Sequence, residues 1–102
     1  MLDELRLNPA DHDIRGKLAE CLAKEGRASE ASIQITRALA SAPTDGTLMY
    51  RAAIISNNRG DAEVAAAWLK KAMAHGYPRT EIERDPQFAL LRSSDVYKKV
   101  LQ

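Results

Sequence analysis

The chain has 102 residues, of which 45% are hydrophobic and 28% are charged, so its size and composition fit one small globular domain. With 15 basic and 14 acidic residues the net charge is +1, which excludes a basic field of the kind that attracts nucleic acid or an anionic membrane. The one cysteine excludes an internal disulfide and a zinc site built from cysteines. No apolar run approaches the ~20 residues that span a bilayer. We therefore expect a cytoplasmic protein with no membrane segment.

The first segment, residues 1–8, carries Leu2 and Leu5 at the i, i+3 spacing of a helix face. This spacing indicates a short N-terminal helix, or the last part of a helix that belongs to an earlier repeat. The second interpretation makes the chain the C-terminal part of a longer array.

Four antiparallel helices are predicted next, from the apolar spacing and from the residues that end or start helices. Gly26 and Gly60 are typical of helix C-termini, and Pro43 lies where one helix must stop before the next begins. Asp45 is placed to cap the helix that follows it. The predicted helices cover about 12–24, 28–41, 46–58 and 62–75.

The last segment, residues 79–102, departs from this pattern and is predicted to form short capping helices after the turn Gly76-Tyr77-Pro78. Thr80 is expected to cap the first of them, and Asp85-Pro86 to end it and open another. Either Ser94 or Asp95 is expected to cap the last helix. The residues predicted to face inward are Phe88, Leu91 and the neighbouring Leu90, followed by the stripe Val96, Tyr97, Val100 and Leu101.

A 34-residue period relates the two halves of the helical region. Small or turn-forming residues coincide when the chain is shifted by this interval, which favours two equivalent helical hairpins. The coinciding pairs are Pro9/Pro43, Asp11/Asp45, Ala19/Ala53, Gly26/Gly60, Ala31/Ala65 and Ala38/Ala72.

These residues resemble the tetratricopeptide repeat (TPR) family, whose 34-residue unit is a helix–turn–helix. The first unit matches through Leu18, Ala19, Leu22, Gly26, Ala31, Ile35, Ala38 and Pro43, and the second through Ala52, Ala53, Gly60, Ala65, Leu69 and Ala72. The family's usual Trp is replaced by Arg15 and Met49, its Tyr by Leu22 and Ser56, and its Phe by Ile35 and Leu69.

The resemblance implies an all-α fold in which antiparallel helix-turn-helix repeats stack as a right-handed α-α superhelix. It implies a single domain over residues 1–102, with repeats at 12–43 and 46–77 and a C-terminal cap at 79–102. The alternative for residues 79–102 is that they are themselves the peptide-binding element.

The residues that could carry chemistry are few. His12 and His75 lie at helix ends and are expected to be exposed. Cys21 has acidic neighbours that oppose thiolate formation, so it is expected to be a small buried filler. We therefore predict no catalytic, cofactor or metal site, and no enzyme.

The resemblance also implies that the leading helix of each repeat lines a concave face that holds a peptide or partner protein. The predicted partner-binding residues are Asp13, Lys17, Glu20 and Lys24 on the first leading helix, and Tyr50, Ile54, Asn57 and Asn58 on the second. For Tyr50 the alternative is packing against the cap, and for the two asparagines it is capping of their own helix. The alternatives for the whole chain are a scaffolding or regulatory segment of a larger protein, and a module that self-associates into a homo-oligomer.

Overall fold

The computed structural model describes residues 12–101, which are all-helical with no β-strand among them. The elements are α1 (His12–Lys24), α2 (Ala28–Ser41), α3 (Gly46–Asn58), α4 (Ala62–Ala74), α5 (Arg79–Arg84), a 3-10 turn (Pro86–Phe88), α6 (Ala89–Arg92) and α7 (Asp95–Leu101). The first three helices have the predicted bounds, and the fourth ends one residue early. The segment predicted over residues 1–8 lies outside the described residues.

Glycines end α1 and α3 in the same way. Gly26 and Gly60 both have φ of +82°, in the left-handed region that a side chain disfavours. After Gly26, the Arg27 amide donates to the Leu22 carbonyl at 2.9 Å, and after Gly60 the Asp61 amide donates to the Ser56 carbonyl at 3.0 Å. These are Schellman motifs, which satisfy the last carbonyls of each helix and reverse the chain. They explain why the helix ends recur at the period found in the sequence.

The predicted helix starts are confirmed in one case and wrong in another. Asp45 is the N-cap of α3, where its carboxylate accepts a hydrogen bond from the Leu48 amide at 3.1 Å. Thr80 does not cap α5, because the helix begins one residue earlier at Arg79 with Pro78 in the N-cap position. Ser94 rather than Asp95 caps α7, since its hydroxyl accepts from the Tyr97 amide at 3.2 Å.

Small residues allow the helices to pack closely. A Cβ atom at Gly16 would lie 2.7 Å from Leu48 Cδ2 and 3.1 Å from Arg51 Cδ, so α1 and α3 cross there with no room for a side chain. The alanine pairs that coincide in the sequence have no exposed surface: Ala19, Ala53, Ala31, Ala65, Ala38 and Ala72. The sequence therefore identified the close helix crossings correctly.

The buried side chains form two clusters that share α3. The first lies among α1, α2 and α3 and is built around Leu48, with Ile35 and Ile55. The second joins α3 and α4 to the capping helices and is built around Leu69 and Phe88. Successive turns of α3 contribute to both clusters, so this helix connects the two halves of the core.

The C-terminal segment packs against α3 and α4, and of the residues predicted to face inward only Leu90 does not. Phe88 and Leu91 are buried, whereas Leu90 is 88% exposed. In α7, Tyr97 and Leu101 are buried, and Val96 and Val100 are half-buried. The Arg92 guanidinium donates to the Ile82 carbonyl at 2.9 Å and to the Asp85 carbonyl, which holds the turn between α5 and the 3-10 segment.

Candidate functional site

The predicted partner-binding residues of α1 lie along one face of that helix, because positions 13, 17, 20 and 24 fall within one narrow arc at 3.6 residues per turn. Asp13, Lys17 and Lys24 are exposed. Glu20 is half-buried and points toward α3. This row, Asp13, Lys17, Glu20 and Lys24, is called the α1 face below.

An ion pair joins the α1 face to α3. The Arg51 guanidinium donates to Glu20 Oε1 at 2.8 Å, and the two side chains are only 21% and 19% exposed. Partial burial reduces solvent screening, so this pair is stronger than an ordinary surface pair. Lys24 Nζ lies 3.5 Å from the other Glu20 oxygen, in an exposed i, i+4 arrangement that adds little. Glu20 is therefore already satisfied within the protein.

Arg51 is a site residue that the sequence prediction missed. It lies 34 residues after Lys17, so the period places the two at equivalent positions of α1 and α3. Its equivalence to Lys17 in the repeat could have marked Arg51 as a site residue. The period does not show, however, that the Arg51 side chain passes Gly16 and reaches Glu20.

The C-terminal cap covers Tyr50 and Ile54, two of the residues predicted to bind a partner. Tyr50 is 6% exposed and Ile54 is 3% exposed. The Tyr50 ring stacks on Tyr77 with a centroid separation of 4.1 Å and meets Phe88 edge-on at 5.6 Å. The alternative interpretation, that Tyr50 packs against the cap, is confirmed.

The Tyr50 hydroxyl is held by the cap as well, since it donates a hydrogen bond to Asp85 Oδ2. Burial raises the pKa of the Tyr50 phenol above its usual range, and the Asp85 carboxylate raises it further because a second negative charge beside it is unfavourable. Burial also raises the pKa of Tyr77. Both phenols therefore stay protonated in the folded protein at neutral pH.

The two asparagines at the end of α3 behave differently from each other. The Asn57 side-chain amide donates to the Gln87 carbonyl at 2.8 Å, so it binds the 3-10 turn of its own chain. Asn58 is exposed. The cap thus contacts three of the four predicted positions on α3, and it leaves Asn58 and the α1 face open.

The residues considered for chemistry lie at the surface. Cys21 is exposed, so the prediction of a buried filler is wrong. Ala19, Leu22 and Ala23 define the inward side of α1, and residue 21 falls outside that arc at 100° per residue. His75 is exposed as expected, and His12 is half-buried.

Within residues 12–101, one group of three side chains brings metal-ligating atoms together: His12, Asp13 and Asp45, with those atoms within 4.8 Å of one another. The His12 Nε2 atom lies 3.5 Å from Asp45 and 3.7 Å from Asp13, so a protonated imidazole would pair with both carboxylates. Asp45 already caps α3 through its other oxygen. Ion pairing and helix capping account for this arrangement.

Over the part of the chain that the structure describes, no helix combines the length and the apolar character needed to cross a bilayer. Comparison of the chain with protein-family models, with curated proteins and with solved structures finds no significant match.

Proposed function

We propose that this chain is a protein-interaction module of the TPR-like type, and that it binds a peptide segment of a partner protein along the α1 face. The hairpins α1–α2 and α3–α4 begin at residues 12 and 46, one period of 34 apart, and their first helices lie side by side. This recurrence and the resemblance of the repeat residues support a stacked-repeat arrangement. Stacked repeats present extended surfaces that are suited to binding other chains.

The observation that carries the proposal is the charge left available on the α1 face. Glu20 is neutralised by Arg51, and Asp13 makes contacts of its own within the chain. Lys17 makes no ion pair with a described residue, and Lys24 has only its exposed contact to Glu20. The groups free to meet a ligand are therefore two lysines one turn either side of Glu20. Such a face is complementary to a peptide that carries acidic side chains.

A peptide selection tests this function without a known partner. Random peptides displayed on phage would be selected on the full chain, and the affinities of the enriched peptides measured by fluorescence anisotropy. We expect acidic residues to be enriched, and the double variant Lys17→Glu/Lys24→Glu to bind at least roughly tenfold more weakly, because two attractions become repulsions. The control Lys70→Glu/Lys98→Glu makes the same charge change at exposed positions away from α1. Equal binding by both double variants would rule out the α1 face.

A further inference from the structure

A continuous groove runs around the N-terminal half of α4. It consists of three adjoining depressions of about 210, 380 and 310 Å³. The first and second share Asp61 and Val64, and the second and third share Glu63 and Val96. Its walls come from α2, α3, α4 and α7, and no residue of α1 lines it. The groove, called the α4 groove below, is thus separate from the α1 face.

Apolar side chains line both ends of the α4 groove. At the first end, between α2 and α4, the half-buried Trp68 presents the apolar surface, since Ile35 and Ile55, which also line this end, are only 6% and 2% exposed. At the other end Val96 and Val100 of α7 are both half-buried. Val64, which is 48% exposed, stands at the junction of the first two depressions. A ligand that follows the groove therefore meets apolar surface at two separated places.

Between the two apolar ends the rim is acidic. Asp61, Glu63 and Asp95 are exposed, and none of them makes an ion pair with a residue in the described range. Lys99 lies at the α7 end, and Arg59 at the other end donates to the Ser32 hydroxyl at 2.8 Å. The positive dipole ends of α4 and α7 partly offset the negative charges of Asp61 and Asp95. Glu63 adds a further negative charge to the rim. The middle of the groove is therefore complementary to a positive charge.

We propose that the α4 groove is a second docking surface, which takes a partner segment with apolar side chains on either side of a basic centre. This proposal does not depend on the α1 face, whose free charges are of the opposite sign. The apolar ends would supply most of the affinity, and the acidic middle would supply selectivity for basic over acidic segments.

Trp68 offers a direct reporter, because it is the only tryptophan in the chain and it lines the groove. The probe is a capped peptide in which leucines flank a central pair of lysines, titrated into the full chain while Trp68 emission and the anisotropy of the labelled peptide are followed. A peptide with glutamates in place of the lysines is its matched control. We expect saturable binding of the lysine peptide, and binding of the glutamate peptide at least about tenfold weaker.

Two variants localise the binding. Glu63→Lys/Asp95→Lys is expected to weaken the lysine peptide by roughly tenfold, and Val64→Ser by about threefold, since it removes exposed apolar contact only. Their controls are Glu81→Lys and Leu90→Ser, which change exposed residues outside the groove. Helicity measured by circular dichroism would show that each variant folds.

Three outcomes would overturn the proposal. Binding of the two peptides within twofold of each other would remove the role of the acidic rim. Unchanged affinity in Glu63→Lys/Asp95→Lys would place the site elsewhere. Concentration-dependent dimerisation in sedimentation that Val64→Ser abolishes would make the occupant a second copy of this chain.

Discussion

The residue that differs most from expectation is Tyr50. It was predicted to contact a partner or to pack against the cap, and the structure places it beneath the cap. The sequence contains the partners of Tyr50, since Tyr77 lies in the turn before the capping segment and Asp85 and Phe88 lie within that segment. It does not show where residues 76–88 run after the turn, and only that path decides whether the Tyr50 ring meets solvent or the cap.

The hydroxyl of Tyr50 is predicted to stabilise the fold. Tyr50→Phe keeps the ring stack but removes the hydrogen bond to Asp85, so the free energy of unfolding should fall by about 1–2 kcal/mol. Urea denaturation followed by circular dichroism measures this change in the free energy of unfolding. Tyr97→Phe is the matched control, because the Tyr97 hydroxyl makes no hydrogen bond with any residue from 12 to 101, and this substitution should be near neutral. An equal effect of the two substitutions would show that the Asp85 bond contributes nothing.

The raised pKa of Tyr50 predicts a loss of stability at alkaline pH. The folded protein holds the proton of the Tyr50 phenol more tightly than the unfolded chain, in which the tyrosine pKa is about 10. The contribution of the protonated Tyr50 to the free energy of unfolding is therefore fully present below about pH 10. Above that pH it falls by up to about 1.4 kcal/mol per pH unit. Unfolding free energies of the wild type and Tyr50→Phe, measured between pH 8 and 11.5, should converge as the pH rises. A constant difference over that range would contradict the prediction.

At the scale of the elements, the sequence was most informative where local chemistry sets the backbone. Helices α1 to α3 have the predicted bounds because Gly26, Gly60 and Asp45 fix helix ends through their own conformations and hydrogen bonds. The capping helices were predicted less well. They are short, and their inward faces depend on what they pack against, so Leu90 could not be separated from its neighbours by spacing alone.

The helix end at Gly60 gives a test at this scale. Gly60→Ala should lower the free energy of unfolding by about 1–2 kcal/mol, because φ is +82° and alanine is strained there. A Cβ atom would meet nothing within 4 Å, so the effect would come from the backbone alone. Gly60→Asn should recover part of the loss, since asparagine tolerates this conformation better. Thermal unfolding measures the stability of the wild type and of both variants. An alanine variant as stable as the wild type would contradict the claim that the Schellman motif at Gly60 requires a left-handed residue.

At the scale of the whole molecule, the cap divides the predicted binding surface. Ile82, Phe88 and Leu91 fill the space beside α3, and Asn57 fastens the 3-10 segment through the Gln87 carbonyl. The same contacts that bury the end of the core therefore cover Tyr50 and Ile54 and engage the side-chain amide of Asn57. What remains open is the α1 face on one side and the α4 groove on another, and their free charges are opposite in sign.

The measurement that tests the proposed function most directly is an amide chemical-shift map of the full chain during titration with an acidic peptide selected on it. We predict that the largest shifts fall on Asp13, Lys17, Glu20 and Lys24 and extend to Arg51 across the ion pair. The amides of Asp85, Gln87 and Phe88 should not move. Shifts centred on residues 85–88 and Tyr50 would mean that the peptide displaces the cap. That result, or shifts confined to α4 and α7, would contradict binding at the α1 face.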